Sequence, residues 1–194
     1  MADPLPTIAL FAKYPQAGKA KTRLIPALGE GGAAALHRRL VERTLATIRE
    51  GGLPFAVWTT GAPHRDFADW LGDDVTLVEQ GDGDLGARLS RVTAPAILLG
   101  ADIPGLTAQH LRDAAKALET NDAVIGPASD GGYYLLGFQR QLPFLWQNMA
   151  WGTEVVLAET EARLLAHGTA YATLAELDDC DRPEDLAAWP ELTA

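Results

Sequence analysis

A chain of 194 residues with 47% hydrophobic and 22% charged residues has globular composition and enough length to enclose a core, which excludes extended disorder. Its net charge of −10 argues against non-specific binding to nucleic acid or to an anionic membrane surface. Cys180 is the only cysteine, so neither an intrachain disulfide nor a cysteine zinc site is available, and its acidic neighbours suit a passive thiol.

No apolar run reaches the roughly 18 residues of a membrane span, and the first residues lack the basic region and apolar core of a signal peptide. The expectation is one cytoplasmic domain over residues 1–194, with loose ends at residues 1–6 and after Trp189.

Short apolar or β-branched runs at 7–11, 55–59, 76–79, 96–100, 122–126, 133–138 and 169–174 alternate with helical patterns. That alternation predicts a largely parallel sheet covered on both faces. A helix is predicted over 31–50, where Leu36, Leu40, Thr44, Leu45 and Ile48 recur at helical spacing and Gly51 supplies a stop; His37 and its arginine neighbours fall on the solvated face. Thr107 is placed to cap a helix that buries Leu111, Ala114, Ala115 and Leu118. A later helix over 153–167 carries Val155, Ala158, Ala162 and Leu165 on one face and ends at Gly168.

The first strand runs into Lys13-Tyr14-Pro15-Gln16-Ala17-Gly18-Lys19-Ala20-Lys21-Thr22-Arg23, which holds four of the 16 Lys and Arg residues. Residues 1–30 carry a local charge of +2, from these four cations against Asp3 and Glu30, in a chain that is acidic elsewhere. Gly18 lets the backbone approach a ligand closely, and the cations suit a polyphosphate, so this is a candidate phosphate loop; the plainer reading is a solvated basic loop.

After the third strand, Gln80-Gly81-Asp82-Gly83-Asp84-Leu85-Gly86-Ala87-Arg88 opens a helix where a base or ribose could lie, with Gln80 and Gly83 as candidate contacts. The fourth strand leads into Gly100-Ala101-Asp102-Ile103-Pro104. A carboxylate at that edge can hold Mg²⁺ or Mn²⁺ against phosphate oxygens, or it can simply cap the turn. Asp130-Gly131-Gly132 sits between two strands, either as a hairpin turn or as bare backbone N–H groups for a ligand. Trp151-Gly152-Thr153-Glu154 either borders an acceptor or packs. Asp181, just before Arg182-Pro183, is either a second metal ligand or the cap of a last short helix.

Together AKYPQAGKAKTRL, QGDGDLGARL, LLGADIPGL, GPASDGGYYLLGF, MAWGTEVVL and ELDDCDRPEDL resemble a bacterial family of glycosyltransferase-like proteins with the glycosyltransferase A (GT-A) type fold, from about Thr7 to Trp189. More distantly, the basic loop and the Asp-x-Pro turn resemble the sugar-nucleotide and cofactor nucleotidylyltransferases, including the phospholactate and molybdenum cofactor guanylyltransferases. The resemblance implies a three-layer α/β/α sandwich of the nucleotide-diphospho-sugar transferase type.

In the similar sugar-acid cytidylyltransferases, the Asp of a Gly-Asp-x-Pro turn and the Asp of a late Val-Asp-Thr-Pro-Glu-Asp-Leu segment share the metal. These match Asp102 and Asp181 here, although Ala101 intervenes and Cys180 and Arg182 replace valine and threonine.

The implied reaction is a Mg²⁺- or Mn²⁺-dependent transfer from a nucleotide donor, either a nucleoside triphosphate or a nucleotide sugar, to a small-molecule acceptor. Lys21, Arg23 and Asp102 are its expected catalytic residues. Lys13, Gly18, Lys19, Lys21, Arg23, Gln80 and Gly83 are expected on the nucleotide, and Asp130, Gly131, Gly132, Trp151 and Glu154 on the acceptor. Four cations on one loop suit a triphosphate, which favours nucleotidylyl transfer with pyrophosphate release onto a phosphorylated acceptor. Glycosyl transfer, with Asp130 or Glu154 activating a hydroxyl, and non-catalytic nucleotide binding are the alternatives.

Overall fold

The computed structural model describes residues 4–192. Seven strands, β1 (Thr7–Lys13), β2 (Phe55–Thr60), β3 (Leu77–Glu79), β4 (Ala96–Leu99), β5 (Ala123–Pro127), β6 (Tyr133–Phe138) and β7 (Tyr171–Thr173), form one sheet in the order β3-β2-β1-β4-β6-β5-β7. β6 pairs antiparallel with both β4 and β5, and every other pairing is parallel. The Asp130-Gly131-Gly132 segment therefore is a hairpin turn between β5 and β6.

Along β1, side chains alternate between two cores, as the two-residue strand period requires. Ile8, Leu10 and Ala12 join Val41, Leu45, Ile48, Phe67 and Leu111 on the face covered by α1 (Ile25–Gly51), α2 (His64–Leu71) and α4 (Ala108–Ala117). Ala9 joins Leu89, Leu98, Leu136 and Leu164 on the face covered by α3 (Leu85–Leu89) and α5 (Val156–Ala166). Helices on both faces of a mostly parallel sheet make the expected three-layer α/β/α sandwich. The 27-residue α1 is too polar to cross a membrane, and no described helix is long and apolar enough to do so.

Several local expectations are corrected. α1 begins at Ile25 and bends at Gly29, whose φ of 70° is non-helical, so the predicted segment is its straight part. His37 is buried at 8% exposure because α1 lies across the end of β1, where the ring meets the Lys13 carbonyl. α2 was not predicted, although its Phe67, Trp70 and Leu71 recur at helical spacing and pack on the core. α5 starts three residues late, and the predicted stripe residues Val155 and Leu165 are exposed while Val156, Thr160 and Leu164 turn inward.

Residues 190–192 are not loose. Leu192 is buried with Leu24, Leu36, Leu40 and Cys180, Arg39 donates to its carbonyl at 2.6 Å, and Arg43 pairs with Glu191. Of the other predicted loose end, residues 1–3 lie outside the described residues, as do residues 193–194.

Candidate active site

Every parallel strand leaves the sheet at one edge, and that edge gathers the chemistry. The basic loop follows β1, Gln80 and Gly83 follow β3, Asp102 follows β4, Asp130 to Gly132 follow β5, and Asp181 follows β7. Thr107, and not Asp102, caps α4: its hydroxyl accepts from the His110 N–H while its own N–H donates to His110 Nδ1. Asp185 caps the turn that Pro183 opens, with Oδ2 accepting from the N–H groups of Asp181 and Arg182 at 2.9 and 2.7 Å. The helix caps are thus Thr107 and Asp185, and the Asp102 and Asp181 carboxylates turn instead to Lys21.

Backbone contacts bring those two segments together. The Cys180 N–H donates to the Asp102 carbonyl at 2.8 Å, and the Cys180 side chain is sealed in the core formed by α1 and the C-terminal tail. Burial, with its acidic neighbours adding to it, pushes the thiol up to about 11.

Lys21 closes the arrangement. Its Nζ lies 2.8 Å from Asp102 Oδ1 and 3.2 Å from Asp181 Oδ1, and donates to the Cys180 carbonyl at 2.8 Å, with the side chain only 4% exposed. Burial lowers its pKa, but Asp102 and Asp181 outweigh burial and leave it raised. Lys21 thus bridges the β4 and β7 loops through their carboxylates. Arg23 pairs with Asp181 Oδ2 and remains over half exposed. Lys13 and Lys19 are exposed, and Lys13 Nζ donates to the Lys19 carbonyl at 2.6 Å, bending the loop around Gly18 at φ 77°.

The remaining predicted residues divide. Gln80 is buried, and its amide nitrogen donates to the Trp58 carbonyl at 2.8 Å and more weakly to that of Ala12, so it ties the sheet edge. Gly83 keeps a φ of 103° in an exposed loop held by Arg88 and Arg91 on the carbonyls of Gly83, Gln80 and Asp82.

Gly131 is pressed against the segment before α5: a Cβ there would meet the Glu154 carbonyl oxygen at 2.3 Å, and its own carbonyl accepts from Leu157 N–H. This close approach sets Trp151 and Glu154 beside Asp130. Trp151 both packs, stacking on Trp146, and lines a cavity.

Three adjoining cavities share Asp130. An apolar one of about 220 Å³ lies towards α3 and α5, an acidic one of about 510 Å³ lies towards Asp181, and a smaller one of about 130 Å³ includes Asp102. Asp179, not singled out in the sequence, lines the last two. Burial, then the negative charges of Asp130 and Asp185, raises its pKa to about 6. The acidic run at 178–181 carried the signal, but nothing in it separated Asp179 from its neighbours.

The profile of the DUF2064 family, described as uncharacterized proteins conserved in bacteria, matches residues 44–153. The chain belongs to this family. No curated protein matches it. The DUF2064 chain is similar to a candidate nucleotide-diphospho-sugar transferase from Desulfovibrio desulfuricans G20, with 30% identity and a TM-score of 0.87 over 93% of this chain and 84% of that one. It shares the fold of the inositol-1-phosphate CTP transferase from T. maritima, with 12% identity and a TM-score of 0.62 over 100% and 96% of the two chains. It also shares the fold of Rv0371c from Mycobacterium tuberculosis H37Rv, solved in complex with manganese, with 19% identity and a TM-score of 0.56 over 96% and 98%.

Among the described residues of the DUF2064 chain, no three His, Cys, Asp or Glu side chains converge as a metal cage. Two carboxylates converge on one cation position, now taken by the Lys21 ammonium. That fits a Mg²⁺-like ion, which keeps several waters and binds through one or two carboxylates together with substrate phosphates.

Proposed function

We propose that this chain transfers a glycosyl group from a nucleotide-sugar donor to a hydroxyl of a small acceptor. The observation that carries this reading is the distribution of charge. Exposed Lys13, Lys19 and Arg23 form the phosphate side, while the acidic cavity sets Asp130, Glu154, Asp179, Asp181 and Asp185 against only Arg23 and Arg182. A phosphorylated acceptor would be repelled there, whereas a neutral hydroxyl would meet carboxylates able to accept its proton.

Asp102 and Asp181 would hold a divalent cation, which when bound supplies charge neutralisation for the departing nucleoside diphosphate. Arg23, beside Asp181, and Lys19 bind the diphosphate and keep it oriented. Asp130, fixed by its Oδ1 accepting from the Gly132 N–H at 2.9 Å, takes the proton as the acceptor oxygen bonds to the anomeric carbon and the bond to the diphosphate breaks. The similarity to a nucleotide-diphospho-sugar transferase candidate supports the donor class, and the manganese complex of a protein with the same fold supports the cation.

Nucleotidylyl transfer is the second reading, favoured by the cation-bearing loop and by the fold shared with a CTP transferase. A thermal-shift comparison separates the two. Nucleotide sugars with Mn²⁺ should stabilise the chain by about 2.7 kcal/mol at 100 times the dissociation constant. Nucleoside triphosphates should give a smaller shift at the same concentration. A larger shift with triphosphate would favour nucleotidylyl transfer.

A further inference from the structure

The apolar cavity has no role in holding a diphosphate or a cation. Phe11 of β1, Leu85 and Leu89 of α3, Leu98 of β4, Trp151 and Val156 form its walls. Leu85 stands at the rim, 41% exposed. The cavity is preformed by close packing: a Cβ on Gly86 would meet the Trp146 carbonyl oxygen at 2.4 Å and Trp151 Nε1 at 2.8 Å, so only glycine lets α3 hold the indole in place as a wall.

Size and polarity define what fits. An apolar cavity of about 150 Å³ accepts benzene, so 220 Å³ has space for a six-membered ring with small substituents. Besides its aromatic residues, the polar side chains that line it are Asp130 and Thr153, which also line the acidic cavity. A nucleobase would bring its hydrogen-bonding edge against leucine, phenylalanine and valine, and a polyol would lose water there without replacement bonds.

We propose that this cavity binds the apolar body of the acceptor, a ring-sized hydrocarbon group bearing an alcohol whose hydroxyl reaches Asp130. The fate of that hydroxyl rests on the glycosyl-transfer reading, while occupancy of the cavity does not.

The test uses the full chain, saturation-transfer NMR with benzyl alcohol and glycerol as probes, and a parallel titration of UDP- and GDP-sugars with Mn²⁺. Benzyl alcohol should bind and glycerol should not. Leu85→Asp, a rim substitution compatible with folding, should weaken benzyl alcohol at least tenfold while nucleotide-sugar affinity stays within twofold. Leu85→Trp, which blocks the mouth without adding charge, should do the same.

The proposal is overturned if benzyl alcohol fails to bind at millimolar concentration, if glycerol binds equally, if both variants bind benzyl alcohol normally, or if they lose the nucleotide sugar in parallel. Leu85-dependent binding of benzyl alcohol by a chain that binds no nucleotide would uphold the cavity and defeat the transferase reading.

Discussion

The Lys21 ammonium lies 2.8 Å from Asp102 Oδ1, in the place where that carboxylate and Asp181 are proposed to hold a metal ion. The β1 loop thus supplies a cation that keeps the two carboxylates together before any ligand arrives. Because Lys21 has its pKa raised by these partners, its stabilisation is complete below the unfolded value near 10.5 and is lost only as pH rises through the higher folded value.

Lys21→Met should leave two carboxylates facing each other and cost about 2–3 kcal/mol in metal-free buffer, less than for a fully buried pair because Asp102 is half exposed. Mn²⁺ should recover more stability in the variant than in the parent, since no ammonium has to leave. Melting curves in chelator and in Mn²⁺ check this. Equal stability of variant and parent in chelator would refute the account of Lys21.

His37 gives the chain a pH dependence in the opposite direction. The Lys13 carbonyl can only accept, so Nε2 carries the ring proton, and Nδ1 is buried without a partner. Burial, only partly offset by the Lys13 hydrogen bond, lowers the His37 pKa. Its contribution should therefore be full above the unfolded value of about 6.5 and decline as pH falls through the lowered folded value. Urea melts between pH 5 and 7.5 should show this slope in the parent and a shallower one in His37→Gln. An identical slope in both would contradict it.

Gly131→Ala should destabilise by roughly 2 kcal/mol, because φ is 86° and the new Cβ would meet the Glu154 carbonyl oxygen at 2.3 Å. The 151–157 segment must then move, so tryptophan fluorescence should change with it. Unaltered stability and fluorescence would place the Gly131 contact outside the site's framework.

The sheet and its ligand-bearing edge were legible because β1 and β4 are short apolar runs followed at once by charged or turn-forming residues. Asp102 and Asp181 were paired through the resemblance of their Pro-containing turns to those of the cytidylyltransferases, and the structure brings both to Lys21. The pairing of Lys21 with them was not legible: its sequence neighbours are the other loop cations, whereas its partners stand 81 and 160 positions away and are joined to it only by folding. The structural bonds of Gln80 were hidden for a similar reason, since the carbonyls that take its amide belong to β1 and β2. The apolar cavity left no trace because Leu89, Leu98 and Val156 carry the same pattern whether they fill a core or line a cavity.

Asp130→Asn should lower kcat by about 10²–10⁴-fold with donor affinity nearly unchanged, as expected for loss of a proton acceptor that does not touch the diphosphate. Single-turnover rates and donor titrations distinguish this from lost binding. A kcat equal to the parent's would remove Asp130 from the chemistry.

Product analysis tests the central claim most directly. The purified chain, a panel of UDP- and GDP-sugars, Mn²⁺ and a cyclic or aromatic alcohol should yield nucleoside diphosphate and a glycosylated alcohol in equal amounts. Asp102→Asn and Asp181→Asn should abolish both products, and nucleoside triphosphates should release no pyrophosphate. Pyrophosphate released from a triphosphate with a phosphorylated acceptor, and no nucleoside diphosphate from any sugar donor, would contradict the account.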